Sequence, residues 1–176
     1  MNKLGLLLLF LTFTTITSFA QAGAQMDAKA FFNRMNGKWK ADTDQSTTSE
    51  MLPKLQESNV TAKLTNTGNS ILLESESRYL STKGEEIPVS GAFFFAVGPD
   101  NKVYALSTSA EGNADRTEGV FKDGKMILSW GIPGNEEVDE ARATLYFDTQ
   151  GQLHYLQEFD LAAGGTLARK SVHVKQ

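Results

Sequence analysis

Polar and apolar residues alternate with a period of two from Trp39 onward, which is typical of strands that bury one face. In one such segment Ile71, Leu73 and Tyr79 share a face, and the charged residues between them share the other. Turn-forming Gly, Asn and Asp residues recur between the segments. The pattern predicts strands at residues 39–44, 58–65, 70–80, 87–97, 102–109, 113–121, 125–132, 138–147, 153–161 and 166–174.

Residues 27–36 have the spacing of a short amphipathic helix rather than that of a strand. Asp27 is suited to cap its first turn, and an Asn-Gly pair is suited to end it. The apolar residues of this segment, Phe31, Phe32 and Met35, lie on one side of the helix. We therefore predict that the helix covers the end of a hydrophobic core.

The strands follow one another through tight turns, without helices between them. Such a meander avoids exposed edges most simply by closing on itself. We predict an all-β fold, an up-and-down antiparallel barrel of about ten strands with the short N-terminal helix closing one end. A β-sandwich is the alternative. The stretch 42–57, rich in Ser and Thr, is predicted to be the only long connection.

The N-terminal segment differs in composition from the rest of the chain. Residues 1–20 contain Lys3, then an apolar run, then small and hydroxylated residues, which is typical of a secretory signal peptide. Cleavage is expected after residue 20, or as late as residue 24. The apolar run is shorter than the roughly 20 residues of a membrane-spanning helix, so no membrane span is expected. The prediction is a secreted or periplasmic protein with one domain, residues 26–176.

Charge and composition exclude several classes of function. The chain has 17 Lys and Arg against 21 Asp and Glu, a net charge of −4, and no basic cluster. It therefore lacks the electrostatic surface of a nucleic-acid-binding protein. With no Cys and two His, it also lacks the usual ligands of zinc and iron–sulfur sites. No metal and no cofactor is predicted, and the sequence does not define the oligomeric state.

The tripeptide Gly37-Lys38-Trp39, directly after a short helix and at the head of the first strand, resembles the Gly-X-Trp start of the lipocalin and fatty-acid-binding (calycin) barrels. The chain is also similar to small lipocalin-like barrels that bacteria export. The resemblance implies that Trp39 closes the barrel floor beside a basic residue of the last strand. Lys170 is predicted to be that residue, or Arg169 if the register differs by one. The resemblance further implies that the barrel binds a small apolar molecule.

Strand parity places more aromatic residues on the inner face than a plain core requires. Mixed with small residues such as Ser75 and Gly91, they would line a cavity with a few polar anchors. The candidate ligand-binding residues are Tyr79, Phe93, Phe95, Trp130, Tyr155 and Phe159. In the alternative interpretation the same residues fill the core. The protein would then be an interaction or envelope-associated module without a ligand.

No catalytic residue is predicted. His154 shares a strand face with Glu158 and Asp160, but an exposed surface histidine is expected there. His173 is assigned to the outward face of the last strand, which argues against a heme in the lumen.

The third and least favoured interpretation is an enzyme that works at the barrel mouth. It would require a convergent polar set with a shifted pKa, for which Tyr79, Arg116 and Glu118 are the candidates.

Overall fold

A computed structural model describes residues 26–109, 112, 114–132 and 135–176. The predicted signal peptide lies outside the described residues. The elements in chain order are α1 (Ala28–Met35), β1 (Gly37–Thr48), β2 (Lys54–Leu64), β3 (Ser70–Leu80), β4 (Glu86–Val97), β5 (Lys102–Ser109), β6 (Ala114–Lys122), β7 (Lys125–Trp130), β8 (Val138–Phe147), β9 (Leu153–Leu161) and β10 (Thr166–Lys175). No helix within these ranges is long and apolar enough to cross a membrane.

The ten strands form one closed antiparallel barrel. Each strand pairs with its neighbours in the sequence, and β1 pairs with β10 to close the wall, with Trp39 opposite Lys175. The predicted all-β barrel is therefore confirmed, and the sandwich alternative is wrong. Closure gives every strand two hydrogen-bonded neighbours, as expected of a meander of this length.

The first two strands are longer than the alternation predicted. The prediction of a long connection over residues 42–57 is therefore wrong. β1 runs to Thr48, and β2 begins at Lys54. The Ser- and Thr-rich sequence resembled a loop, but its hydroxyls bond to the neighbouring strand. Ser49 donates from its Oγ to the carbonyl of Ala168 at 3.0 Å and accepts from the amide of Ala168 at 2.9 Å. These bonds keep the end of β1 against β10.

Helix α1 closes one end of the barrel, as predicted. The amide of Ala30 donates to Asp27 Oδ1 at 2.6 Å, which caps the first turn. Phe31, Phe32 and Met35 are fully buried. The Phe31 ring lies against two rings of the barrel, those of Phe121 and Phe147, at centroid distances of 5.4 and 5.1 Å.

Burial changes along the barrel axis. In the half next to α1, the inward-facing residues are buried and form one continuous core with the helix. They include Trp39, Ile71, Phe95, Val103, Phe121, Met126, Leu128, Leu145 and Leu153. In the other half, toward the turns at 81–85 and 162–165, most inward-facing aromatic residues are partly exposed, whereas Leu55 and Ala141 are buried. Among the described residues, the half of the barrel next to α1 is thus packed, and the other half, here called the open half, is less closely filled.

Candidate functional site

The floor of the barrel is built around Trp39, which is 2% exposed. Its Nε1 donates to the carbonyl of Met35 at 2.6 Å, so the indole is tied to the last turn of α1. The ring packs 5.7 Å from that of Phe147. The ammonium of Lys175 lies 5.4 Å from the indole centroid, within range of a cation–π contact. Trp39 therefore closes the floor, and a basic residue of the last strand lies over its ring.

That basic residue is Lys175, so the assignment of Lys170 to this position is wrong. Lys170 pairs with Leu156 and Thr47 on the outer face of the wall. Its neighbour Arg169 faces inward, but it lies in the open half rather than over Trp39. Alternation in β10 was assigned one residue out of phase, because small and apolar residues occupy both of its faces. Gly37, the third residue of the predicted set, has a φ of +129° that favours glycine.

The six candidate lumen residues all face the interior. Phe95 belongs to the packed half at 4% exposure, and its ring stacks on Phe93 at 6.2 Å. The other five keep part of their surface exposed, although they point into a closed barrel: Tyr79, Phe93, Trp130, Tyr155 and Phe159. An inward side chain can remain exposed only where the lumen around it is not filled. These aromatic rings of the open half are therefore incompletely packed.

Arg169 places a positive charge at the mouth of the open half. Its guanidinium lies 4.6 Å from the centroid of the Tyr79 ring and donates to Gln157 Oε1. A cavity of about 150 Å³ opens beside it, lined by Pro53, Tyr79, Ile87, Val89 and Arg169. In the part of the chain that the structure describes, no carboxylate forms a salt bridge with Arg169. Its charge is therefore available to a ligand.

Tyr155 adds a neutral hydroxyl near this charge. Burial raises its pKa to about 12, while the positive charge of Arg169 acts in the opposite direction. The phenol therefore stays protonated at physiological pH and can donate a hydrogen bond.

His173 faces the lumen, so its assignment to the outward face is wrong for the same reason as that of Lys170. It is 5% exposed, and its Nε2 lies 3.4 Å from Ser58 Oγ, which also receives a hydrogen bond from Ser77. Burial lowers its pKa to about 4, so the ring is neutral at physiological pH. His173 lies between the packed and the open half, close to Leu153 and Ala41.

His154 does lie on the outer face, but it is only 6% exposed. The prediction that it is an exposed surface histidine is therefore wrong. Its ring stacks on Tyr146 at 4.7 Å, and its Nε2 lies 2.9 Å from Asp148 Oδ2. Burial raises the pKa of Asp148, but hydrogen bonds from His154 and two backbone amides outweigh this effect and lower it. The pair fixes the turn between β8 and β9, and it is remote from the mouth.

The set proposed for a mouth enzyme does not converge. Tyr79 faces the lumen, whereas Arg116 and Glu118 lie exposed on the outer face of β6 and form a salt bridge of 2.8 Å with each other. Within the described ranges, no group of three or more His, Asp or Glu residues is placed to hold a metal ion. The sequence pattern predicts an inward Arg169 only if the register of β10 differs by one residue. The cross-strand pairing of β10 shows that Arg169 is on the inner face.

Comparison with solved structures shows the same architecture at low sequence identity. Rv2717c from M. tuberculosis superposes with a TM-score of 0.55 at 13% identity, covering 85% of this chain and 97% of that one. The S-type phycobiliprotein lyase CpeS from Guillardia theta superposes with a TM-score of 0.56 at 18% identity, covering 86% and 94%. No family model and no curated protein matches the sequence. The chain therefore shares with these two structures the fold of a closed, ten-stranded antiparallel barrel.

Proposed function

We propose that this protein binds a small amphipathic molecule in the open half of the barrel, with its apolar body against the aromatic lining and a carboxylate or similar anion at Arg169. The observation that carries the proposal is the charge of Arg169, which forms no salt bridge with any carboxylate among the described residues, beside partly exposed, inward-facing aromatic rings. A charge in such a place lowers the free energy of binding only for a ligand that brings the opposite charge.

The apolar part of the ligand provides most of the affinity. Burying about 300 Å² of apolar ligand surface contributes roughly 7 kcal/mol at about 25 cal/mol per Å². The loss of translational and rotational freedom offsets part of this gain. We therefore expect micromolar dissociation constants. Arg169 and the donor hydroxyl of Tyr155 then select among apolar molecules by the group at one end.

The structural neighbours support the choice of a binding function over an interaction module. One of them is a phycobiliprotein lyase. A barrel of this type that is open at one end suits a ligand with an elongated, conjugated apolar body. Such a molecule would lie in the open half, because the described residues of the other half are packed against α1.

We also propose that the protein is exported. The support is the composition of residues 1–20, with a basic start, an apolar run and small residues before Gln21. A secreted or periplasmic location is consistent with a carrier that meets its ligand outside the cytoplasm.

The test compares retinoic acid with retinol, which share an apolar body and differ in the terminal group. Trp130 faces the lumen, so bound ligand should quench its fluorescence. Arg169→Met should weaken retinoic acid binding about tenfold or more, the value of one charge-assisted contact of about 1.5 kcal/mol, and leave retinol unchanged. The matched control is Lys170→Met, which removes one positive charge from the adjacent, outward-facing position and should change neither affinity.

A second pair of variants tests the location. Ser107→Phe adds a ring to the lumen opposite Phe93 and should abolish quenching. Thr108→Phe adds the same ring to the outer face and should leave it intact. Gly91 is unsuitable for this purpose, because a Cβ there would lie 2.6 Å from the carbonyl oxygen of Thr108. If neither ligand nor a wider panel of apolar acids gives a saturable signal, the filled-core interaction module is the better account.

A further inference from the structure

The barrel wall is incomplete between β1 and β2. These strands pair over only four positions, from Gly37 opposite Ala62 to Lys40 opposite Asn59. Beyond that point β1 follows β10, while β2 continues along β3 as far as Lys54 opposite Leu80. The two strands therefore separate toward the open end of the barrel.

A cleft of about 390 Å³ occupies this gap. Its lining is Ser46, Thr48, Ser49, Glu50, Leu52, Lys54, Leu55, Leu80, Ser81 and Thr82. The lining comes from both faces of the wall. Lys54 and Leu80 pair on the outer face, whereas Leu55 pairs with the inward-facing Tyr79. The cleft thus extends from the outer surface to the inner face of the wall.

Leu55 belongs to the cleft lining and faces the lumen. Its side chain is 4% exposed and lies on the same face as Tyr79, the ring on which Arg169 stacks. Pro53, two residues earlier, lines the mouth cavity beside that pair. Leu55 is therefore the buried apolar residue at which the cleft of about 390 Å³ meets the inner face of the wall.

The gap can widen at low cost in hydrogen bonds. No ladder joins the second half of β1 to the first half of β2. The polar groups of β1 here are bonded elsewhere: Ser46 Oγ donates to the carbonyl of Asp42 at 2.7 Å and accepts from the amide of Val172 at 3.2 Å. Moving Leu55 aside breaks none of these bonds. The mouth, by contrast, is narrowed by the guanidinium of Arg169, which an apolar body would have to pass.

We propose that the cleft between β1 and β2 is the route by which the ligand enters and leaves the lumen, and that Leu55 controls the rate of passage. This inference rests on the proposed function, since it concerns the ligand of the same lumen. A gate on a route changes the association and dissociation rate constants by the same factor, so it leaves the dissociation constant unchanged.

The chain contains no cysteine, so a cross-link can be introduced without side reactions. Thr48→Cys and Lys54→Cys place thiols on opposite sides of the cleft, and a bismaleimide joined to both obstructs it. Stopped-flow fluorescence with retinoic acid should then show both rate constants reduced at least tenfold, with the dissociation constant within threefold of that of the unmodified double variant. The control is the same double variant treated with N-ethylmaleimide, which caps each thiol without bridging the gap.

Leu55→Ala is the complementary change and should raise both rate constants several-fold. Its matched control is Leu145→Ala, an equally buried leucine in the packed half, which should leave them unchanged. Unchanged rates in the cross-linked protein, with binding intact, would overturn the cleft as the route while the proposed function stands. Absence of saturable binding in the unmodified protein would overturn both.

Discussion

Arg169 and His173 both face the interior from β10, but one is positively charged and the other is neutral. Arg169 keeps its charge near the mouth, where Tyr79 and Gln157 hold it without neutralising it. His173 lies deeper and is neutral, because burial lowers its pKa to about 4. Neither role could be predicted from the sequence, since a shift of one residue in β10 exchanges its inner and outer faces. The inward direction of the aromatic candidates agrees with the sequence pattern, because the charged residues of β3 and β9 all lie on the opposite face.

Because His173 is buried and neutral, we expect the unfolding free energy to fall in mild acid. Its pKa is about 4 when folded and 6.5 in the unfolded chain, so protonation favours unfolding as the pH falls below 6.5. The loss should be about 2 kcal/mol at pH 5 relative to pH 8. Urea unfolding at several pH values measures it. His173→Gln should flatten the curve between pH 6.5 and 5, and a slope equal to that of the native protein would contradict this assignment. The pKa of Asp148 is lowered from its ordinary value of 3.8, so protonation of Asp148 reduces stability only below that pH. Its effect therefore overlaps little with that of His173.

At the scale of elements, hydroxyl side chains decided where the first hairpin begins and ends. The segment 42–57 has the composition of a loop, yet β1 continues to Thr48 because Ser46 and Ser49 bond to the backbone of β10. These partners are more than a hundred positions away, with a separation of 119 residues for Ser49 and Ala168. Local sequence contains no signal for them. Helix α1, whose cap and apolar side are local features, was predicted within one residue.

The role of Ser49 in extending β1 can be measured. Ser49→Ala removes one donor and one acceptor and leaves the Ala168 amide without that partner, so unfolding free energy should fall by about 1–2 kcal/mol. Thr47→Ala, an exposed neighbour, should cost less than about 0.5 kcal/mol. Chemical denaturation of the two variants compares them. Equal, small effects would show that the end of β1 does not depend on Ser49.

At the scale of the molecule, the two halves of the barrel differ in how completely their inward-facing side chains are buried. The half beside α1 stabilises the fold, and the open half leaves aromatic surface available to a ligand. The sequence predicted the closed barrel from its regular turns and alternation. It left open whether the lumen is filled, because the same aromatic residues suit either state. The structure adds that, among the described residues, the buried core lies at the end of the barrel into which α1 packs.

Two phenylalanine-to-alanine variants compare how tightly the two halves of the barrel are packed. Phe31→Ala removes a fully buried ring from the packed half and should cost about 3–5 kcal/mol. Phe159→Ala removes a partly exposed ring from the open half, where little cavity is created, and should cost less than about 1.5 kcal/mol. Denaturant midpoints with unchanged m-values provide the comparison. Similar losses in both variants would show that the lumen is packed throughout.

The ladder between β1 and β10 also constrains the order of events during synthesis. The amide of Gln176 donates to the carbonyl of Lys38, so the last strand completes the wall against the first. Until β10 has left the ribosome, the nascent chain is an open sheet with two free edges and an uncovered apolar face. Barrel closure therefore waits for β10, and it is slow relative to local hairpin formation because of its long-range contacts.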